Sequence, residues 1–180
     1  MKVIDVAIGA VWIVFWVGWL AAARRVKPGR IRWGRGLGLR IAILVVVIPL
    51  AHVRGFRHPT HDIALGAVGL AVLLAGLAVA IWARVNLGRN WGQPMSEKRD
   101  LELVTSGPYR WVRNPIYSGL ILALVGTAIA VNVIWVVIAL LLGGYFVYSA
   151  YAEERFLAER LPEAYAAYRA RTKMLIPFIF

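Results

Sequence analysis

The sequence predicts an all-α, polytopic membrane protein: five transmembrane helices, the last two a tight helical hairpin, plus a cytoplasmic C-terminal helix. Three observations predict it. The chain is 61% hydrophobic with a mean hydropathy of +0.68, well above a soluble domain. Its apolar runs have the length of a bilayer crossing. Its basic residues are confined to the segments between those runs. At 180 residues, a single integral membrane domain over 1–180 is the natural reading. A net charge of +12 raises the question of nucleic acid; the placement of the charge points instead to membrane lipids. The absence of cysteine excludes disulfides, thiolate nucleophiles and cysteine-ligated metal.

The first helix is expected over about 3–23, where only Asp5 interrupts the apolar run. Arg24, Arg25 and Lys27 follow it as a stop-transfer pattern, so it reads as a retained span rather than a signal peptide. The second is expected over about 37–53, with Arg40 able to snorkel and Pro49 kinking it. The third, about 63–83, is almost purely aliphatic. The stretch 116–151 is too long for one crossing: as a single helix it would reach about 54 Å against about 30 Å of hydrocarbon. A turn at Asn132 divides it into helices over about 115–131 and 133–151; one long tilted helix is the alternative.

Charge placement supports five. Loop 24–40 carries seven Lys/Arg, loop 84–114 six and the tail 153–180 five, against only Lys2, Arg54 and Arg57 elsewhere. Five crossings put all three basic segments on one side, which the positive-inside rule makes cytoplasmic. The N-terminus is then outside and the C-terminus inside. A soluble cosubstrate on the cytoplasmic side is within reach of both the segment 107–119 and the tail.

Three segments carry candidate chemistry. The first, GPYRWVRNPIYSG over Gly107–Gly119, places a turn at Gly107-Pro108 and Pro115 in the first turn of the next helix. Its Trp, Tyr and Arg residues, read alone, suit an interfacial anchor. The second is the acidic pair Glu153-Glu154 and the basic, amphipathic stretch 158–171 after it, which alone suggests an interfacial helix. Two acids at a helix C-terminus oppose the macrodipole and point to a bound cation, unless Arg155 and Arg160 merely balance them. Pro177-Phe178 and the apolar residues around them are expected to dock on the membrane. The third is LGRNWG, Leu87–Gly92, where two glycines let the backbone turn. His52, His58, His61 and Asp62 have a spacing compatible with a metal, but an ordinary polar connector fits them better, and no metal is expected.

LGRNW, LVTSGPYRWVRNPIYSG, EERFL, EAYAAYRART and IPF, in this order, resemble the isoprenylcysteine carboxyl methyltransferase family, itself related to membrane phospholipid N-methyltransferases. The resemblance covers about half the chain, Leu87–Phe178. It implies S-adenosylmethionine as methyl donor and a cofactor site within residues 87–178. It implies that Gly107, Pro108, Tyr109, Arg113, Asn114, Pro115 and Tyr117 line or shape that site, with Tyr165 and Tyr168 as its cap. Glu153 or Glu154 would approach the donor or the acceptor, so Arg113, Asn114, Glu153 and Glu154 are the candidates for catalysis. Asn114 stands where the family usually has histidine, and Leu101 where many relatives have another; an amide binds but cannot carry charge. Val147, Tyr148 and Ser149 stand where some relatives carry an arginine. These departures bear on the acceptor more than on the donor.

The chemistry suits the residue types. Aromatic faces favour a sulfonium cation, Arg113 suits a carboxylate, and a glutamate suits an ammonium. An in-line displacement needs alignment and exclusion of water rather than a covalent enzyme intermediate. A carboxylate acceptor needs no base; an amine or phenol does, for which Glu153, Glu154 or a tyrosine is available. A lipophilic acceptor entering from the bilayer accounts for such chemistry in a membrane fold. Two other classes compete. One is a nicotinamide-dependent, sterol-reductase-like oxidoreductase, which predicts a longer chain. The other is a non-catalytic lipid- or partner-binding protein. Acceptor identity and oligomeric state are not legible; Gly66, Gly69 and Gly76 suit close helix packing within or between chains.

Overall fold

The computed structural model describes residues 2–23, 45, 62–88 and 103–180. Among these there are five α-helices and one 3₁₀ turn. The helices are α1 (Lys2–Ala23), α2 (Ile63–Leu87), α3 (Pro115–Ala130), α4 (Val133–Arg160) and α5 (Pro162–Arg171); the 3₁₀ turn is Gly107–Arg110. Three helices, α1, α2 and α4, are long and apolar enough to cross a membrane, and α3 is a shorter apolar helix of 16 residues. Of the helix expected over 37–53 only Val45 is described, and it is helical and exposed; the rest lies outside the described residues, as do His52, His58, His61, Leu101 and the tryptophan of LGRNWG, Trp91.

Two expected boundaries move. Helix α2 continues to Leu87 rather than stopping at 83. Arg84 does not end it, because its guanidinium lies 4.2 Å from the Trp19 ring on α1. Gly88, at φ +53°, stops it, with its N–H on the Arg84 carbonyl. Helix α4 runs nine residues past 151, to Arg160. The acidic pair therefore sits inside a continuous helix rather than at its end, and the macrodipole argument for a bound cation loses its basis. At its start, the Asn132 side chain accepts from the Ile134 N–H at 3.0 Å, the cap that turns the chain between α3 and α4. Asp62 caps α2 in the same way, accepting from Ala64 and Leu65 at 2.8 and 3.4 Å.

The centre of the structure is the α2–α3 seam. The helices run antiparallel, with Gly69 against Gly126 and Gly76 against Gly119. A methyl group on Gly76 or Gly119 would strike the backbone of the other helix. Both pairs repeat every seven residues, so two turns of each helix approach backbone to backbone. Leu73, Ala80, Ala123 and Thr127 are fully buried beside them. Helix α1 lies across this seam. Ile4 covers Gly66, and Trp12 Nε1 donates to Thr127 Oγ1 at 3.1 Å while that hydroxyl donates to the Ala123 carbonyl at 2.9 Å. The outer faces are apolar: Val3, Val14 and Val85 are more than two-thirds exposed, as side chains facing hydrocarbon would be.

Candidate active site

Segment 107–119 folds into a 3₁₀ turn followed by the N-terminus of α3, and its side chains divide between two faces. Gly107 adopts φ +59°, and any Cβ there would collide with the Asn86 side chain, so the turn packs directly on the end of α2. Arg110 and Trp111 face outward, the guanidinium 4.0 Å from the indole ring, and Trp111 packs edge-on against Trp82 at 5.8 Å. They form the interfacial-anchor half of the motif. Tyr109, Val112 and Asn114 face inward and are buried.

The tail closes over this inward face. Val112 and Lys173 form a parallel bridge. Lys173 N–H donates to the Trp111 carbonyl at 3.1 Å, Arg113 N–H to the Lys173 carbonyl at 2.8 Å, and Asn114 N–H to the Met174 carbonyl at 3.1 Å. Ser118 Oγ donates to the Leu175 carbonyl at 2.6 Å. A short extended segment, residues 172–175, is thus stitched along the entry to α3. No sequence pattern announces it, because its partners lie about sixty residues away and it borrows their backbone rather than forming a sheet.

At the centre lies a buried ionic cluster. Arg113 Nε donates to Glu154 Oε1 at 2.7 Å and Nη2 to Oε2 at 3.2 Å, a bidentate pair. Arg113 Nη1 donates to the Thr172 carbonyl at 2.6 Å. Asn114 Nδ2 donates to Glu154 Oε1 at 3.1 Å and to the Met174 carbonyl at 3.4 Å. The two charged side chains are only 9% and 10% exposed. Burial lowers the Arg113 pKa, but the hydrogen bond and charge of Glu154 outweigh it and raise the pKa overall, so the guanidinium stays charged.

Tyrosines frame the cluster. Tyr165 and Tyr168, on one face of α5, are both buried, and Tyr168 Oη donates to the Tyr109 carbonyl at 2.6 Å. Helix α5 therefore turns its tyrosine face into the protein, and does not lie on a membrane surface by that face. Among the described residues the buried Tyr165 hydroxyl makes no hydrogen bond; it lies beside Arg113 and Glu154, close enough for both to act on it. Burial raises the pKa of all three tyrosines, joined by Glu153 at Tyr109 and by Glu154 at Tyr165 and Tyr168; at the last two Arg113 acts the other way. A groove of about 450 Å³ opens at the α4–α5 corner and is lined by Ala158, Pro162, Tyr165, Ala166, Arg169 and Ala170. Tyr165 is the residue it shares with the cluster.

The two adjacent acids separate. Glu154 points into the cluster, while Glu153, about 100° further round the helix, accepts from Tyr117 Oη at 3.3 Å. Tyr117 in turn stacks on Phe146 at 5.6 Å. Of the sequence-expected residues, the structure brings Tyr109, Arg113, Asn114, Glu154, Tyr165 and Tyr168 together. Gly107, Pro108 and Pro115 shape the backbone around them. Tyr117 and Glu153 form a neighbouring pair. Thr172, Ser118 and Met174 are additions that the sequence did not signal.

Residues 65–164, which contain the α2–α3 seam, the 3₁₀ turn and the acidic pair, match the phospholipid methyltransferase family. The chain belongs to this family. Among its relatives is a protein-S-isoprenylcysteine O-methyltransferase of Rattus norvegicus, 34% identical over 119 residues, 64% of this chain and 42% of the relative. Another is the cobalt-zinc-cadmium resistance protein CzcN of Cupriavidus metallidurans, 33% identical over 137 residues, 74% of this chain and 61% of that protein. The uncharacterized protein YpbQ of Bacillus subtilis is 38% identical over 52 residues, 29% of this chain and 31% of that protein. The chain spans less than two thirds of the length of each. The ionic cluster's Arg113, Asn114 and Glu154 all lie inside the family match; Tyr165, Tyr168 and the segment 172–175 lie beyond it.

Proposed function

We propose that the chain is an S-adenosylmethionine-dependent methyltransferase acting on a lipophilic acceptor that enters from the bilayer. The observation that carries this reading is the buried Arg113–Asn114–Glu154 cluster, closed by the tail, with the Tyr165 hydroxyl, unsatisfied among the described residues, beside it. Those groups fit the donor's amino-acid head. Three of the guanidinium's five donors are taken, so N–H groups remain for a carboxylate. Glu154 Oε2 accepts from Arg113 alone among the described side chains, leaving a lone pair for an ammonium. The Tyr165 hydroxyl supplies a further polar contact, and the tyrosine rings suit a cation. When bound, S-adenosylmethionine supplies an electrophilic methyl group on a sulfonium.

The protein's own contribution is position and dryness. Arg113 and Asn114 hold Glu154 in one orientation, and the strand 172–175 excludes water from the inner side of the cluster. Glu153, held by Tyr117, is the acid assigned to the acceptor side. A carboxylate acceptor would need no base there, whereas an amine or phenol would give its proton to Glu153. The isoprenylcysteine-type carboxylate and other lipid-soluble nucleophiles both remain within this reading.

The reading extends to topology: five crossings, N-terminus outside, and the site on the cytoplasmic face. What supports an odd return between α1 and α2 is their parallel course, with Ile4 at Gly66 near one end and Trp19 at Arg84 near the other. The 18-to-3 distribution of Lys and Arg supports the sidedness.

Calorimetric titration of the reconstituted chain with S-adenosylmethionine and with its demethylated product tests the proposal. Saturable binding of both is expected. Folded protein that binds neither at millimolar ligand refutes it, and binding of a reduced nicotinamide instead moves the chain to the reductase class.

A further inference from the structure

The tail that closes the site ends in a feature the proposed function does not use. Beyond Leu175 the chain makes a tight turn, with Phe180 N–H on the Ile176 carbonyl at 3.1 Å and Leu175 N–H on the Phe180 carbonyl at 2.7 Å. The side chains of this turn point away from the protein: Phe178 is 85% and Ile179 75% exposed, with Ile176 and Phe180 close to half. Phe178 also adopts φ +68°, the left-handed region. Just before the turn, Arg169, Arg171 and Lys173 are exposed, while Tyr168, Thr172, Met174 and Leu175, which alternate with or follow them, are buried. The tail thus presents three cations followed by an apolar hook.

The position of the hook says what it meets. Met174 and Leu175 pack with Ala150 against Tyr117, Ile121 and Val147. These residues belong to the first two turns of α3 and to the apolar part of α4, so the strand is wedged at the level where those helices enter the membrane. The hook follows directly from Met174 and Leu175 and is itself exposed and apolar. A basic cluster next to exposed Phe and Ile at a membrane boundary is the chemistry of an anionic leaflet: phosphates for the cations, acyl chains for the hook.

We infer that residues 169–180 are a membrane anchor selective for anionic phospholipid, and that lipid bound there holds the strand 172–175 in its place over the candidate site. The mechanical link is direct. Arg113 binds the Thr172 carbonyl, and Lys173 pairs with Trp111 and Arg113 through the backbone. Lipid contact itself does not depend on the proposed function; only the effect on donor affinity rests on that reading.

The chain has no cysteine, so Phe178→Cys, and separately Ile179→Cys, accept a single polarity-sensitive fluorophore. Each is reconstituted as the full chain in nanodiscs of phosphatidylcholine alone or with phosphatidylglycerol. The expected result is blue-shifted emission, quenched by acyl-chain-brominated lipid, stronger with phosphatidylglycerol and weakened by salt. Arg169→Gln/Arg171→Gln/Lys173→Gln should abolish the difference between lipids. In the unlabelled chain, S-adenosylmethionine affinity should be at least about fivefold higher in the anionic discs, the effect of roughly one basic residue at the surface. Water-like emission from both labels in both lipids overturns the inference. So does a shift that follows protein concentration rather than lipid, which would assign the hook to a second copy of the chain. Lipid-dependent emission with no donor binding in either disc keeps the anchor and refutes the methyltransferase proposal; donor binding equal in both discs refutes the coupling.

Discussion

Arg113 holds three separate parts of the chain together: its own loop, α4 through Glu154, and the tail through Thr172. Removing one partner of such a buried pair leaves the other charge uncompensated, at a cost of about 3–5 kcal/mol. Arg113→Ala and Glu154→Gln should therefore each lower the melting temperature and weaken donor binding at least about tenfold; wild-type affinity in both would refute the site. Tyr165→Phe separates binding from folding. Among the described residues its hydroxyl has no hydrogen bond to lose, so thermal stability should hold or rise slightly, whereas donor affinity should fall. Equal affinity would show that the hydroxyl meets no ligand. Asn114→His tests acceptor choice. Asn114 spends its side-chain donor nitrogen on Glu154 and the Met174 carbonyl, and a neutral imidazole has one N–H to offer. If the exchange raises activity on prenyl-thioether carboxylates, acceptor choice runs through this position; unchanged activity would refute that. At this scale the sequence was informative about identity but not about pairing. It singled out Arg113, Asn114 and Glu154, yet assigned Arg113 to a ligand alone. That the arginine and the glutamate bind each other depends on a contact across forty-one residues, which no local pattern encodes.

Among the elements, the α2–α3 seam is the least tolerant of change. Gly76→Leu or Gly119→Leu should separate the helices and reduce the yield of folded protein by several-fold, measured by size-exclusion in detergent. Gly143→Leu on α4, where a Cβ meets nothing, is the matched control and should fold normally. The glycines on α2 were legible as a close-packing face, but their partner was not: the stripe fits a second copy as well as α3, and the seven-residue match to Gly119 and Gly126 emerges only once the helices are antiparallel. Helix ends were legible where a capping side chain marks them, as at Asn132, but not at α2, whose stop at Gly88 lies beyond the expected 83. Nor were they at α4, whose extension to Arg160 runs through mixed charged and apolar residues with no glycine or proline to mark a stop before Pro162.

For the molecule as a whole, the three buried tyrosines make stability sensitive to alkali. Burial keeps each of them protonated in the folded state above the ordinary tyrosine value of about 10. A raised folded pKa contributes stability that is complete below the unfolded value and is lost as pH rises through the folded one. Denaturation midpoints should thus fall progressively above about pH 10, and absorbance at the tyrosinate band should report these three only as the chain unfolds. Ionisation of all seven tyrosines before unfolding would contradict the burial. The membrane class and the family were legible from hydropathy and motif order. The strand 172–175 was not, because a bridge between Val112 and Lys173 has neither the length nor the alternation of a sheet.

That bridge also sets an order of assembly. A ribosome makes the α2–α3 seam and the whole of α4 before it makes residues 172–175. The described contacts of the glycine seam and the Trp12–Thr127 bond involve no tail residue, so they form while the cluster still lacks its wall. Until Thr172 and Met174 emerge, the side chains of Arg113 and Asn114 lack the two tail carbonyls they bind in the folded protein. A truncation just after α5 should consequently give a protein that inserts and folds in the membrane but has no enclosed site. The last stretch of the site to be synthesised is what turns a helical bundle into a candidate enzyme.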